Sequence, residues 1–123
     1  LLVLVPGNFQ AQLGLALLNQ KDKHYTEAYN GINMLIEQYP TNAIAYAARG
    51  GMEKEKGQLE AAEYDYAKAM ELDADNADYV LNHLDLLILL KRRNEAYADL
   101  QRLMKMGYSK GQLLEFYNRL KKK

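Results

Sequence analysis

Residues 43–76 read AIAYAARGGMEKEKGQLEAAEYDYAKAMELDADN, and parts of this pattern return on either side of the segment after 34 positions. Two columns of identical residues keep this period, one of asparagine and one of alanine: Asn8, Asn42, Asn76, Ala28, Ala62 and Ala96. A period of this size is typical of supersecondary units that cannot bury their own apolar faces and therefore stack on one another. The chain of 123 residues is thus predicted to be a repeat array in a single domain.

Each unit is predicted to contain two helices. In its second half, small or apolar residues are spaced by four and then three positions, as in Ala62, Tyr66 and Ala69, which is one stripe of a helix. Short breaks separate the two helices of each unit, at positions 21–24, 56–58 and 91–93. Because such breaks are short, the two helices must lie antiparallel, and Gly57 is expected to end the first helix in the middle unit.

The asparagine and alanine columns have different predicted roles. Each asparagine precedes the first helix of a unit, where its side-chain oxygen can accept hydrogen bonds from the N–H groups of the first turn. Each alanine stands where the second helix should cross the first, since helix axes approach to about 8 Å only where side chains are small. Ala16 and Gly50 are the small residues predicted opposite, whereas Leu84 predicts a looser crossing in the third unit.

The C-terminal segment, residues 109–123, is predicted to be a capping helix. Ser109 followed by Gln112 has the form of a capping box, so this helix is expected to begin near Ser109. One side of it is apolar and carries Leu113, Phe116 and Leu120. A helix with one polar face can close the open end of a helical stack.

The N-terminal segment, residues 1–8, allows two interpretations. Leu1 to Val5 stand 34 positions before Leu35 to Tyr39, which indicates the tail of a preceding unit. The alternative is the remnant of a secretory signal, an apolar run followed by small residues. The first interpretation is compatible with a cytoplasmic protein and the second with an exported one, so the sequence leaves the compartment open. An apolar end of this kind could also support self-association through Leu1 to Val5.

The middle unit resembles the tetratricopeptide repeat (TPR) family. The residues that carry the resemblance are Tyr46, Gly50, Gly57, Ala62, Tyr66, Ala69 and Ala74. The resemblance implies an all-α fold, a right-handed superhelix of antiparallel helix hairpins with about seven helices. Its repeats would span residues 9–42, 43–76 and 77–108, and the third is degenerate because His83, Leu84 and Arg93 replace expected types. Asn19 and Glu53 also stand where the family has an aromatic residue.

The formal net charge is zero, which argues against a general binder of nucleic acid or membrane surfaces. The charges are unevenly distributed, because residues 1–83 hold six Lys and Arg against twelve Asp and Glu, whereas residues 84–123 hold ten against four. Solvated helix faces explain this pattern, and the alternatives are head-to-tail association or two different partner surfaces. No apolar stretch is long enough for a membrane span.

No catalytic residue, metal site or cofactor is predicted, and the chain is not expected to be an enzyme. Cysteine is absent, and His24 and His83 have no recognised metal-ligand spacing, so each is expected to be packed or exposed. Two acidic pairs are expected at the surface, Glu53 with Glu55 and Asp73 with Asp75. None of these acids has a nucleophile or base in a matching register.

The TPR resemblance implies that the first helices line a concave peptide-binding groove. Its predicted residues are Leu13, Leu17, Ile44, Ala47, Ala48, Gly51, Asp78, Leu81, Asn82 and Asp85. This floor is apolar and low in relief, which suits an extended peptide or a helix, and its two aspartates favour a ligand with a basic residue. Alternatively, the leucines pack against one another or against a missing upstream unit.

The sequence therefore predicts a non-catalytic module for protein–protein interaction or scaffolding. Some TPR domains clamp the acidic C-termini of heat-shock chaperones with lysine, asparagine and arginine. The matching positions here are Leu13, Leu17, Ala48, Asp78 and Asn82, which do not form such a clamp. One alternative is a segment of a larger TPR protein whose groove serves self-assembly. An RNA-binding repeat resembling the pentatricopeptide family is disfavoured by the zero net charge and by the aspartates in the groove.

Overall fold

The structure is a computed structural model that describes residues 8–122. This part of the chain forms α1 (Phe9–Lys21), α2 (Tyr25–Gln38), α3 (Ala43–Glu55), α4 (Leu59–Leu72), α5 (Ala77–Leu89), α6 (Arg93–Lys105) and α7 (Leu114–Lys121). No strand occurs among the described residues, and the prediction of an all-α fold of helix hairpins is confirmed. The interpretations of Leu1 to Val5 concern residues outside the described range.

The asparagine column caps the first helix of each hairpin, as predicted. The Asn8 side chain accepts a hydrogen bond from the Ala11 N–H at 2.9 Å. The equivalent bonds run from the N–H of Ile44 to Asn42 and from the N–H of Asp78 to Asn76, both at 3.0 Å. Each bond satisfies one N–H group that the helix itself leaves without a partner.

A residue in the left-handed backbone region follows the first helix of every hairpin. Lys23, Gly57 and Lys91 have φ values of 64°, 80° and 62°. These three residues are spaced by 34 positions, so the turn repeats together with the helices. Only the glycine signals this turn in the sequence, because a side chain in this region costs roughly 1–2 kcal/mol.

The alanine column lies at the helix crossings, as predicted. Ala28, Ala62 and Ala96 are fully buried. A Cβ atom on Gly50 would lie 2.9 Å from the Tyr66 ring and 3.3 Å from the Ala62 carbonyl oxygen, so α3 and α4 meet there almost backbone to backbone. In the third hairpin the buried Leu84 occupies the equivalent position, and α5 and α6 approach each other less closely.

The hydrophobic core runs along the stack and connects each hairpin to the next. Ala16, Ile32 and Met52 belong to a cluster that joins α1, α2 and α3. A second large cluster includes Met70, Leu84 and Leu100 and extends to α7 through the buried residues Leu113 and Leu120. Phe116 packs against this cluster, so the predicted apolar side of the last segment faces the core.

The last helix begins five residues later than predicted. Ser109 and Gln112 do form the capping box, with bonds of 2.8 Å from the Ser109 N–H to the Gln112 side chain and 3.1 Å from the Gln112 N–H to the Ser109 hydroxyl. However, the Leu113 N–H bonds to the Lys110 carbonyl three residues earlier, which makes this segment a turn. The α-helix starts only at Leu114.

Candidate functional site

The first helices of successive hairpins lie side by side, and we call the surface of α1, α3 and α5 the groove face. Lys54 Nζ on α3 lies 2.5 Å from Asp85 Oδ2 on α5. Arg119 on α7 donates to Asp85 Oδ1 at 2.6 Å. These ion pairs connect α3, α5 and α7 directly. The predicted groove residues therefore stand on neighbouring helices.

Asp85 does not present an unpaired carboxylate to a ligand. Partial burial would raise its pKa, but the hydrogen bonds and positive charges of Lys54 and Arg119 outweigh burial and lower it. The carboxylate therefore stays ionised and is already neutralised by two cations. The expectation that Asp85 would receive a basic residue of a partner is wrong, because cations distant in sequence are brought to it by the fold.

The other predicted groove residues differ in exposure. Leu17 and Ile44 are 43% and 44% exposed, and Asp78 is exposed too. The remaining members are half-buried: Leu13, Ala47, Ala48, Gly51, Leu81 and Asn82. Leu13 packs against one core cluster and Leu81 against another, so these two leucines do not pack against each other.

The surface between the exposed side chains is low in relief. Gly51 has no side chain, and a Cβ atom there would lie 3.5 Å from the Tyr66 hydroxyl. Asn82 donates its side-chain amide to the Asp78 carbonyl on the same helix at 2.9 Å. Leu89, near the end of α5, is 47% exposed. The groove face thus offers separate large apolar side chains around a shallow floor.

A buried charged pair lies inside the second hairpin, away from the groove face. Arg49 on α3 donates two hydrogen bonds of 2.8 Å to the two carboxylate oxygens of Asp65 on α4. A third bond of 3.1 Å reaches Asn33 on α2, the second helix of the preceding hairpin. The Asp65 side chain is 2% exposed, so this bidentate pair joins three helices within the stack.

Glu53 belongs to the same cluster, and the expectation that it lies at the surface is wrong. The residue is 4% exposed, and its Oε2 accepts a hydrogen bond of 3.2 Å from the Tyr29 hydroxyl. Burial, with Asp65 adding to it, raises the pKa of Glu53 to about 8, so the side chain is protonated near neutral pH. The one sequence signal for this interior position was that Glu53 stands where the TPR family has an aromatic residue.

The third hairpin contains an equivalent pair, in which histidine replaces arginine. His83 Nδ1 lies 2.6 Å from Asp99 Oδ2, and its Nε2 lies 2.7 Å from Glu63 Oε2 on the preceding helix α4. Burial alone would lower the pKa of His83, but the hydrogen bonds and charges of the two carboxylates raise it. His83 is thus packed, as predicted, and its two carboxylate neighbours favour the charged imidazolium. The shared spacing of 34 positions from Arg49 to His83 and from Asp65 to Asp99 was the missed signal.

The buried and half-buried charged groups described above pair with one another across neighbouring helices. Within residues 8–122 no group of three His, Cys, Asp or Glu side chains is arranged to hold a metal ion. No helix in this range is long and apolar enough to cross a membrane. The described polar clusters join neighbouring helices, and the groove face holds the predicted binding residues.

Comparison with known proteins supports the fold through structure alone. No protein-family model matches the chain, and no curated protein matches it in sequence. The Arabidopsis OM64 TPR domain superposes with a TM-score of 0.77 at 24% identity, covering 92% of this chain and 93% of that one. The second TPR domain of human RPAP3, solved with the HSP70 peptide SGPTIEEVD, superposes with a TM-score of 0.78 at 21% identity. This match covers 91% of this chain and 93% of that one.

A third solved structure agrees with these two. The TPR2B domain of yeast Sti1, in a complex with pHsp70, gives a TM-score of 0.73 at 18% identity and covers 89% of this chain and 96% of that one. Identities this low establish the fold and nothing more specific. The chain has the TPR fold along nearly its whole length.

Proposed function

We propose that this TPR-fold protein is a non-catalytic interaction module that binds an extended peptide or a helix of a partner protein on its groove face. The observation that carries the proposal is the exposure of three large apolar side chains at groove positions. Leu17, Ile44 and Leu89 are 43%, 44% and 47% exposed. Separate apolar anchors on a shallow floor suit a ligand that supplies its own large side chains.

The charges on this face refine the ligand that we propose. Two cations, Lys54 and Arg119, flank the single carboxylate of Asp85, so the three groups together carry a net positive charge. An acidic group of the ligand is therefore favoured beside these two cations. Asp78 is exposed at the other end of α5, where a basic group is favoured. The proposed ligand is thus apolar, with acidic and basic groups at opposite edges of the groove.

The peptides bound by the similar domains are not proposed as ligands of this chain. RPAP3 was solved with an HSP70 peptide that ends in acidic residues. The positions that would clamp such a tail here are occupied by Leu13, Leu17, Ala48 and Asp78, which offer no positive charge. Asn82 is the remaining matching residue, and its amide already bonds to its own helix. The proposed specificity is therefore apolar rather than a carboxylate clamp.

Selection from a random peptide library, followed by calorimetry with the enriched peptides, tests the proposal. The variant Leu17→Glu with Ile44→Glu places two charges on the groove face at exposed positions. We expect it to bind the peptides at least tenfold more weakly, because burying a charged side chain under the peptide costs desolvation free energy. The peptide SGPTIEEVD is included as a comparison and is expected to bind more weakly than the selected sequences.

A matched control carries the same kind of change on the second helices. Ala61→Glu with Ala98→Glu alters exposed positions on α4 and α6 and should leave binding unchanged. Circular dichroism melting must show that both double variants remain folded. Loss of binding only in the α4 and α6 variant, or failure of any peptide to be enriched, would contradict the proposal.

A further inference from the structure

A cavity between the third hairpin and the last helix is lined by basic side chains. It lies where α5 ends and α6 begins, against the C-terminal end of α7, and its volume is about 400 Å³. Its lining residues are four cations and two apolar residues, namely Lys91, Arg93, Arg119, Lys122, Ile88 and Leu120. No carboxylate stands among the described residues that line it. We call it the basic cavity.

Most of these cations have no carboxylate partner in the described part of the chain. Arg119 is paired, because it shares Asp85 with Lys54. The other cations of the cavity occur in none of the ion pairs between described residues, and they are Lys91, Arg93 and Lys122. Several uncompensated positive charges around one cavity create a potential that attracts an anion with more than one negative charge.

Arg93 is specific to the third hairpin and is held at the cavity by the fold. The repeat period puts it at the position of Tyr25 and Leu59, which are half-buried, whereas Arg93 is exposed. Its Nη2 donates a hydrogen bond of 2.8 Å to the Lys122 carbonyl oxygen, which joins the start of α6 to the end of α7. The other N–H groups of the guanidinium, which form a rigid fork, remain for a ligand.

The start of α6 adds to the positive potential of the basic cavity. This helix begins at Arg93, and the side chain of Arg92 before it makes no capping hydrogen bond. The N–H groups at a helix start carry partial positive charge, so they favour an anion there. The acidic residue of the first turn, Glu95, accepts two hydrogen bonds from Arg92 at 2.8 and 2.6 Å. Its charge is therefore balanced by Arg92 and does not neutralise the cavity.

We propose that the basic cavity binds a phosphate group, either the phosphate monoester of a phosphorylated side chain or inorganic phosphate. A phosphate carries about 1.5 to 2 negative charges at neutral pH, which matches several unpartnered cations better than a carboxylate does. Its oxygens accept the parallel hydrogen bonds that a guanidinium donates. Ile88 and Leu120 provide an apolar wall for the carbon atoms of a phosphorylated side chain. The site does not depend on the ligand proposed for the groove face.

Titrations of the whole chain at low ionic strength, followed by amide chemical shifts, test the proposal. The probes are inorganic phosphate and phosphoserine blocked at both ends, with blocked glutamate as the carboxylate control. We expect saturable binding of a phosphate probe, at least about tenfold tighter than that of blocked glutamate, with shifts around Arg93 and Leu120. Tighter binding of blocked phosphoserine identifies a phosphorylated side chain as the ligand, and tighter binding of inorganic phosphate identifies the free ion.

Two charge-removing variants locate the site. Lys91→Gln with Arg93→Gln should weaken phosphate binding at least about tenfold. Lys91→Gln with Lys122→Gln should weaken it too, although this variant keeps the hydrogen bond from Arg93 to the Lys122 carbonyl. The matched control, Lys21→Gln with Lys23→Gln, removes two charges near the turn of the first hairpin, where Lys23 has the position of Lys91, and should leave binding unchanged. All these side chains are exposed, so the melting temperature should not move.

The proposal is overturned if no phosphate probe binds, or if the control weakens binding as much as the two cavity variants do. Blocked glutamate that binds as tightly as blocked phosphoserine would also overturn it, because a carboxylate, of this chain or of another, would then be the ligand. Decauridylate that binds more tightly than blocked phosphoserine would point to the phosphodiesters of RNA instead. None of these results affects the binding of a peptide to the groove face, which the two cavity variants should retain.

Discussion

The second and third hairpins place a basic side chain over a buried carboxylate at the same repeat positions, but the basic groups differ in kind. Arg49 keeps its charge at every accessible pH, and its cluster also contains the protonated Glu53. His83 can lose its charge, and Leu87 stands at the position that Glu53 holds in the second hairpin. In both hairpins this position thus holds a basic side chain beneath the preceding helix, while the residue type determines how the hairpin responds to pH.

The largest destabilisation is expected when both carboxyl groups near Arg49 are removed. Asp65→Asn with Glu53→Gln leaves the guanidinium largely buried without a counter-ion, which should cost about 3 kcal/mol in the free energy of unfolding. Asp65→Asn alone should cost less, because Glu53 can then ionise beside Arg49. Urea denaturation at neutral pH measures both values. Equal losses in the free energy of unfolding for the single and the double variant would show that Glu53 does not replace Asp65 as the counter-ion of Arg49.

A surface pair provides the control for that experiment. Lys68 and Glu71 are 3.7 Å apart, and the Glu71 side chain is 71% exposed. Glu71→Gln should change the free energy of unfolding by less than about 0.5 kcal/mol. The contrast separates the effect of burial from the general loss of one negative charge.

Glu53 makes the second hairpin less stable as the pH rises. Its pKa is about 8 in the folded protein against an ordinary value of 4.5, so the folded state holds a proton that the unfolded chain releases between these values. Stability from this group therefore falls from about pH 4.5 to pH 8. Glu53→Gln should remove the decline and stabilise the protein at pH 8 by up to about 4 kcal/mol, since each pKa unit corresponds to about 1.4 kcal/mol. A variant less stable than wild type at pH 8 would contradict a protonated Glu53.

His83 should produce a similar loss at higher pH in the third hairpin. Its folded pKa is raised above 6.5, so its stabilisation is fully present below that pH and is lost as the pH rises through the folded value. His83→Arg should abolish this loss, and Arg49→His should introduce one in the second hairpin, each changing the stability difference between pH 6 and pH 9 by about 1 kcal/mol. Parallel pH profiles for wild type and both variants would mean that the two positions are not equivalent.

The smallest contrast between the two hairpins lies in their turns. Gly57 and Lys91 both adopt positive φ values, 80° and 62°, but only the lysine carries a Cβ atom. Lys91→Gly should raise the free energy of unfolding by about 0.5–1 kcal/mol, since relief of the strained conformation exceeds the greater entropy of glycine in the unfolded chain. Chemical denaturation decides this, and a destabilised Lys91→Gly would show that the turn is not strained.

The repeat period made most of the fold predictable. Asn42 as a helix cap and Ala62 at a crossing depend on local chemistry and on spacing, which the sequence displays directly. The start of α7 was misplaced because the capping box at Ser109 looks the same before a turn as before a helix. Glu53 was misplaced because the sequence does not show that Tyr29 of α2 and Asp65 of α4 lie beside it in the fold.

The helices that carry the proposed groove residues were predictable, but the charge pairing among those residues was not. The helical register places Leu17 and Ile44 on the first helices, where the structure leaves them exposed. The neutralisation of Asp85 depends on Lys54 and on Arg119, which lies 34 residues further along the chain, so only the stacked fold brings these groups together.

The most direct test of the proposed function is amide chemical-shift mapping of the protein on addition of a library-selected peptide. We expect the perturbations to be concentrated on α1, α3 and α5 around Leu17, Ile44 and Leu89, with α2, α4 and α6 little changed. Perturbations confined to the second helices, with the groove face unaffected, would contradict it.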